Sequence, residues 1–341
     1  MRITRKDVAE MAQVSTTTVT NVINRKKNVS EDVRQRVLKI ITECNYRPNL
    51  VARSLITNKS HHVAVMLDDI TDAHHGHIVD AFQREASKNG YFMSICIRAE
   101  KIEDELDAMV SRGIDGAFLM ISPDKFHKDD AMKCVENVSN YMKIVTGFNC
   151  HRDTDRLSSI ECDFGASVEK AVDYLISLGH KNIAFLSIFD SKYPYDERYP
   201  AFLKTMSARL GVERPAVVSG TSPYPGNCET GMLYTEKLLK NHPETTAILC
   251  ANDMLAIGCQ SYLLKNGYKI PGDISLISIG GTPVLEYNSP PITSMSVNHS
   301  EYGKQAFRML MNSIETEVTC FSSMKIDLEV RSSTGAPKSA V

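Results

Sequence analysis

Eight short runs rich in valine and isoleucine, at 63–67, 93–97, 117–121, 144–146, 183–188, 215–218, 247–250 and 274–279, punctuate most of this 341-residue chain. Between them lie stretches of helical periodicity near 76–89, 101–112, 165–178, 198–210, 229–240 and 254–266. Strand and helix in alternation build parallel sheets covered by helices on both faces. Residues 61–341 are too many for one such sheet, so the spacing predicts an α/β body of two lobes, each a doubly wound parallel sheet. Open parallel sheets bind ligands at the carboxyl ends of their strands, so two facing lobes imply a cleft lined by loops from both.

The first sixty residues follow a different rule. Residues 4–24 read as two short helices joined by a tight turn at Gln13 and Val14. Thr4 is placed to cap the first helix, and Asp7 falls in its first turn, where negative charge suits the helix dipole. Val8, Met11 and Ala12 share the inner face. Ser15 is placed to cap the second helix, which turns Val19, Val22 and Ile23 inward and Thr16, Thr17, Thr20 and Asn21 outward. Threonine and asparagine are mediocre helix formers. They suit a DNA major groove, where hydroxyls and amides meet base edges and threonine methyls meet thymine methyls. A third helix fits 30–45, with Ser30 as cap, Glu31 and Asp32 in the first turn, and Val33, Val37, Leu38 and Ile41 inward. Pro48 is suited to opening another short helix, and the stretch through Ser60 reads as a linker.

Charge separates the same two regions. Residues 1–60 hold 12 Lys and Arg against 5 Asp and Glu, whereas the remaining 281 hold 27 against 36. A small basic module on a large acidic one is the footprint of a phosphate-binding head on a soluble body.

Several function classes find no support. No run of 18 apolar residues exists to span a membrane. Met1 leads straight into a polar capped helix rather than a signal peptide, and nine cysteines without C-x-x-C spacing read as reduced thiols, Cys96 and Cys250 lying in apolar strands. A cytoplasmic location is expected. No G-x-G-x-x-G follows the first strand, and P-loop, G-x-S-x-G and H-E-x-x-H motifs are absent, so the chain does not read as an enzyme. His74, His75 and His77 raise a metal reading, but no cysteine lies near them in sequence. They read better as pocket or surface histidines, with neither metal nor cofactor expected.

Asp-Val-Ala at 7–9, Val-Ser-Thr-Thr-Thr-Val at 14–19, Val-Ile-Asn at 22–24, Val-Ser-Glu at 29–31, Tyr-Arg-Pro-Asn at 46–49 and Ala-Arg-Ser-Leu at 52–55 occur in order. With Gly-Ile-Asp-Gly at 113–116, Leu-Gly-His-Lys-Asn-Ile-Ala at 178–184, Ala-Asn-Asp-Met-Leu-Ala-Ile-Gly at 251–258, Ile-Pro-Gly-Asp-Ile-Ser-Leu-Ile at 270–277 and Pro-Pro-Ile-Thr-Ser at 290–294, they closely resemble the lactose-repressor (LacI/GalR) family of bacterial transcription regulators. The resemblance implies an all-α helix-turn-helix head over 1–47, a hinge helix and linker over 48–60, and a two-lobed, periplasmic-binding-protein-like body over 61–341 for effector binding and dimerisation. It implies DNA contacts from Thr4, Ser15, Thr16, Thr17, Thr20, Asn21, Asn24, Asn49 and Arg53, with Leu55 wedged into the minor groove of a palindromic operator. Where relatives often carry an arginine that reads guanine, this chain has Asn21.

The same resemblance implies an effector site built from Asp69, His74, His75, Phe148, Phe164, Tyr195, Arg198, Asn252, Asp253 and Gly280, with Asp253 equally suited to capping the helix at 254–266. Phe148 and Gly280 stand where sugar-binding aspartates are common, and His74-His75 where a pair of aromatics is usual. A cleft that loses two carboxylates while keeping an arginine without a carboxylate partner favours an anionic ligand. The expected function is a repressor acting as a homodimer under a small carbohydrate-like effector, acidic or phosphorylated. The alternative is a cytoplasmic small-molecule binding protein whose basic head contacts protein rather than DNA.

Overall fold

The computed structural model describes residues 3–23, 28–47, 59–97, 101–121, 129–147, 157–193, 196–220 and 226–338. The chain forms two compact units, Met1–Ser60 and His61–Val341.

The first unit contains α1 (Arg5–Met11), α2 (Thr16–Ile23) and α3 (Glu31–Glu43). Its core is small: Val8, Ala9, Ala12, Val19, Val22, Val37 and Tyr46. Thr4 and Asp7 form a reciprocal capping box, the Asp7 amide donating to Thr4 Oγ1 at 3.3 Å and the Thr4 amide to Asp7 Oδ2 at 2.7 Å. Ser15 caps α2 by accepting from the Thr18 amide at 3.1 Å. Two residues expected inside are out: Met11 is 45% exposed and Leu38 40%. Ala9 is buried beside Val8 and Ala12, while the Met11 thioether rests near Cys44, Sδ to Sγ 3.7 Å. In α3, Val37 alone is fully buried, and Leu38, the next residue round the helix, turns to the solvent side.

The second unit has two six-stranded sheets. The first is built from β1 (His62–Leu67), β2 (Phe92–Ile97), β3 (Gly116–Met120), β4 (Lys143–Thr146), β5 (Ser158–Cys162) and a late strand, β11 (Phe321–Met324), in the order β11-β5-β4-β3-β1-β2, all parallel. The second takes β6 (Ile183–Ser187), β7 (Val217–Ser219), β8 (Ala247–Cys250), β9 (Ser275–Gly280), β10 (Thr293–Val297) and β12 (Ile326–Glu329) in the order β12-β10-β9-β8-β6-β7, with only β12 antiparallel. Helices α4 (Ala73–Lys88), α5 (Ile102–Ser111) and α6 (Asp129–Val138) belong to the first lobe; α7 (Phe164–Ser177), α8 (Arg198–Leu210), α9 (Cys228–Asn241) and α10 (Asp253–Lys265) belong to the second. The 18-residue helix α11 (His299–Thr316) follows β10 but packs on α4, β3, β4 and β5 of the first lobe.

The chain therefore passes between lobes three times, from Cys162 to Phe164, from Val297 to His299 and from Met324 to Ile326. Strand interiors are apolar because both faces are covered; β1, β3, β6, β8 and β9 are buried almost throughout. The strands absent from the sequence reading, β5, β10, β11 and β12, are rich in Ser, Thr and acidic residues. Among the described residues no helix is long and apolar enough to cross a membrane.

Candidate DNA-reading face and effector cleft

Ser15, just before α2, and Thr16 and Thr17 on it are exposed, while Thr20 and Asn21 are half-buried. Thr20 is already engaged: its hydroxyl donates to the Thr16 carbonyl at 2.8 Å and accepts from Arg5 Nη1 at 3.3 Å. Arg5, unmarked by the sequence reading, thus lays a guanidinium from α1 against the second helix, with its Nε buried and unpartnered. Only the fold reveals this contact, since fifteen residues separate the pair. Asn24, Asn49, Arg53 and Leu55, and with them most of the expected hinge helix, lie outside the described residues, as do Phe148 and Tyr195.

The first group of candidate effector-site residues stands in the loop after β1 and the start of α4. Asp69 Oδ1 accepts from the amide and hydroxyl of Thr71 at 2.8 and 2.7 Å, and Asp72 caps α4 by accepting from the His74 amide at 2.9 Å. The His75 ring is buried, its Nδ1 2.9 Å from the Asp69 carbonyl, which ties the helix start to the strand end. His74 turns the other way. Its Nδ1 lies 2.8 Å from Nε2 of His299, the first residue of α11, one ring donating and the other accepting. Burial first, then the neighbouring imidazole, pushes the His74 pKa well below the usual histidine range. Burial likewise lowers His299 to about 4, against a partly opposing attraction from Asp253. Both rings are neutral near pH 7. Among the described residues no group of three or more His, Cys, Asp or Glu has metal-holding geometry.

The second group carries the charge. Asn252, at the end of β8, caps α10 by accepting from the Leu255 amide at 2.8 Å and donates from Nδ2 to the Gly226 carbonyl at 2.9 Å. Asp253 is not the helix cap, since Asn252 holds that place. Asp253 is 5% exposed, and its carboxylate accepts from the Ser278 hydroxyl, the Gly281 amide at 3.2 Å and the Thr282 amide at 2.7 Å, clamping the turn after β9. Gly280 is required by that clamp: with φ at 152°, a Cβ there would sit 2.6 Å from Asp253 Oδ2.

Arg198 begins α8 with its guanidinium 5.1 Å from the centre of the Phe164 ring. It is not without a carboxylate partner. Its Nε donates to Asp196 Oδ1 at 2.7 Å, and Nη1 donates to the Ala251 carbonyl at 2.8 Å. The charge expected to attract an anion is already met. Asp196 and His299, which bond the candidate residues Arg198 and His74, were not named from sequence; an Asp two residues before the arginine was the available signal for the first, whereas nothing local marks the second.

Residues 4–49 match bacterial regulatory proteins of the lacI family, and residues 172–334 match a periplasmic binding protein-like domain. The HTH-type transcriptional repressor PurR of Vibrio parahaemolyticus is 30% identical over 316 residues, 92% of each chain. The crystal structure of the lac repressor dimer bound to operator and the anti-inducer ONPF superimposes with a TM-score of 0.85 at 23% identity, covering 98% of this chain and all of that one. A complex of the transcriptional regulator CelR with cellobiose gives 0.70 at 23% identity, covering 97% and 100%. A helix-turn-helix head, a body of two parallel-dominated sheets, and repressor relatives along nine-tenths of the sequence agree: the chain belongs to the lacI family of bacterial regulatory proteins and is a ligand-responsive, DNA-binding transcriptional repressor rather than an enzyme.

Proposed function

We propose that a small carbohydrate-like molecule occupies the cleft and, by preferring one arrangement of the lobes, changes affinity for a palindromic operator read by a homodimer in the cytoplasm. The observation that carries this reading is where the lining residues stand in the chain. Phe164 and His299 are each the first helical residue after a crossing between lobes, so a ligand held against them bears on the segments about which the lobes move. Linkage then makes the coupling reciprocal: whatever the operator does to effector affinity, the effector does to operator affinity.

Dimerisation is favoured by β2, an edge strand with Phe92 69% exposed and Ile95 and Ile97 also uncovered. Such an edge calls for cover by a second copy. Two heads also supply the phosphate contacts that one small module lacks. In the head, Thr16, Thr17 and Asn21 face bases, Arg5 and Thr20 brace the reading helix, and the linker over 48–60 supplies Leu55.

Gel shifts on duplex DNA at rising salt test this. Several phosphate contacts predict a loss of about 10³-fold in affinity between 50 and 200 mM salt. Site selection from a random library should return inverted repeats, with adenine rather than guanine opposite Asn21. Binding indifferent to salt, or selected sites without symmetry, would remove the reading.

A further inference from the structure

Helix α2 presents two rows of short side chains and carries no charged residue. Thr16 and Thr20, four apart, share one row, and Thr17 and Asn21 share the next. Guanine O6 and N7 are matched by the paired donors of an arginine, which neither row contains. Arg5 of α1 meets the first row instead. Its Nη1 donates to Thr20 Oγ1 at 3.3 Å, while the Thr20 hydroxyl gives its own proton to the Thr16 carbonyl at 2.8 Å. Arg5 Nε is buried without a hydrogen-bond partner. The acids of α1 are engaged elsewhere: Asp7 accepts from the amide and hydroxyl of Thr4 at 2.7 and 2.8 Å, and Glu10 lies 3.9 Å from Lys6 Nζ. Among the described residues, then, Arg5 is a half-buried guanidinium with a single hydrogen bond and no carboxylate partner. Five N–H donors with one of them used leave a cation ready for acceptors from outside the chain.

We propose that Arg5 is a specificity-determining residue of the head: steadied by Thr20, its guanidinium donates to O6 and N7 of a guanine in the major groove, in the half-site where Asn21 pairs with adenine. The proposal rests on the reading of α2 as the helix that meets base edges. With one Nη1 hydrogen on Thr20, the second Nη1 hydrogen and both on Nη2 remain for the base. A phosphate accepts from many directions and is served by any mobile surface lysine. Two acceptors fixed on one base edge call for a planar fork held in one orientation. The bond to Thr20 supplies that hold, on the row that the exposed Thr16 begins. Thr20 is then a positioning residue, and α1 contributes to sequence choice as well as to the support of α2.

Site selection from a random duplex library with the full-length protein tests it, repeated with Arg5→Gln, Arg5→Ala and Thr20→Val. Wild-type half-sites should hold an invariant guanine. Arg5→Gln should turn that guanine into adenine, because a glutamine amide matches adenine N6 and N7. Arg5→Ala should open the position to all four bases and weaken binding to the wild-type site about tenfold or more. Thr20→Val removes the acceptor that holds the guanidinium and should relax the preference at the same position. A change of base preference is a readout that loss of folding cannot imitate. The proposal is overturned if the guanine persists in the Arg5 variants, or if they weaken every duplex alike while the salt slope falls by about one, the mark of a phosphate contact. Wild-type half-sites without an invariant guanine overturn it whatever the variants do. Failure of the DNA-reading assignment itself is separate, because wild-type protein would then select no sequence at all.

Discussion

The helix caps of the head are made between close neighbours in sequence, whereas several bonds among the candidate cleft residues join distant parts of the chain. In the head, Thr4 caps through Asp7 and Ser15 through Thr18, each three residues away, and Thr20 bonds Thr16 at four. In the cleft, Asp253 reaches partners 25 to 29 residues on, Arg198 reaches Ala251 across 53, and His74 meets His299 across 225. Short-range bonds order a segment whose exposed face must stay free for an outside partner. Long-range bonds fix loops from separate strands in one geometry, and each severed link leaves several buried groups unmatched. The head should therefore fail gradually and the cleft abruptly.

The largest effect should come from Asp253→Ala, which strands the Ser278 hydroxyl and the Gly281 and Thr282 amides together. A loss of about 3 kcal/mol is expected, read as a fall of roughly 6 °C or more in the thermal transition of the body. A change under 1 °C would mean the turn after β9 does not need its clamp.

Acid should act next. His299 titrates near 4 in the folded protein against 6.5 for a free histidine, so the unfolded chain binds the proton first. Its contribution is complete above about pH 6.5 and drains away as pH falls toward 4, amounting to about 3 kcal/mol at most. Urea denaturation at pH 7 and pH 4.5 checks the sign, and His299→Gln should flatten the acid side. Stability that rises on acidification would contradict the neutral His74–His299 pair.

The smallest effect belongs to the head. Thr4→Ala removes half of the capping box and should cost about 1 kcal/mol, seen as earlier melting of the head with the body transition unmoved. A shift in the body transition would break the contrast between the two regions.

The same contrast governs what the sequence discloses. The caps at Thr4 and Ser15 and the outward Thr16 and Thr17 are legible because their partners lie within one turn. The Val- and Ile-rich strands were legible too, since burial on both faces leaves a continuous apolar run. Strand β10 was not. Thr293, Ser294 and Ser296 are as buried as its apolar residues, and Thr293 is satisfied by Ser333, Thr334 and Arg331, which a local pattern cannot anticipate. Helix α11 carries its own signal in Asn298, which accepts from the Glu301 amide at 3.0 Å, and in the Tyr302, Ala306, Leu310 stripe, but it falls outside the strand-helix alternation that organised the rest. For the candidate cleft, sequence named Arg198, yet its electrical character depended on Asp196, and the role of Asp253 depended on a turn made 28 residues later.

The three crossings between lobes also set a timetable for biogenesis. The first sheet starts at residue 62, but its final strand β11 and its covering helix α11 emerge from the ribosome only after the second lobe's first five strands have been made. The second sheet, in turn, waits for β12 at 326–329. Neither lobe can close its outer edge until the last few dozen residues are available, so a chain halted before about residue 320 would present two unfinished sheets, each with β5 or β10 open to pairing with another nascent chain.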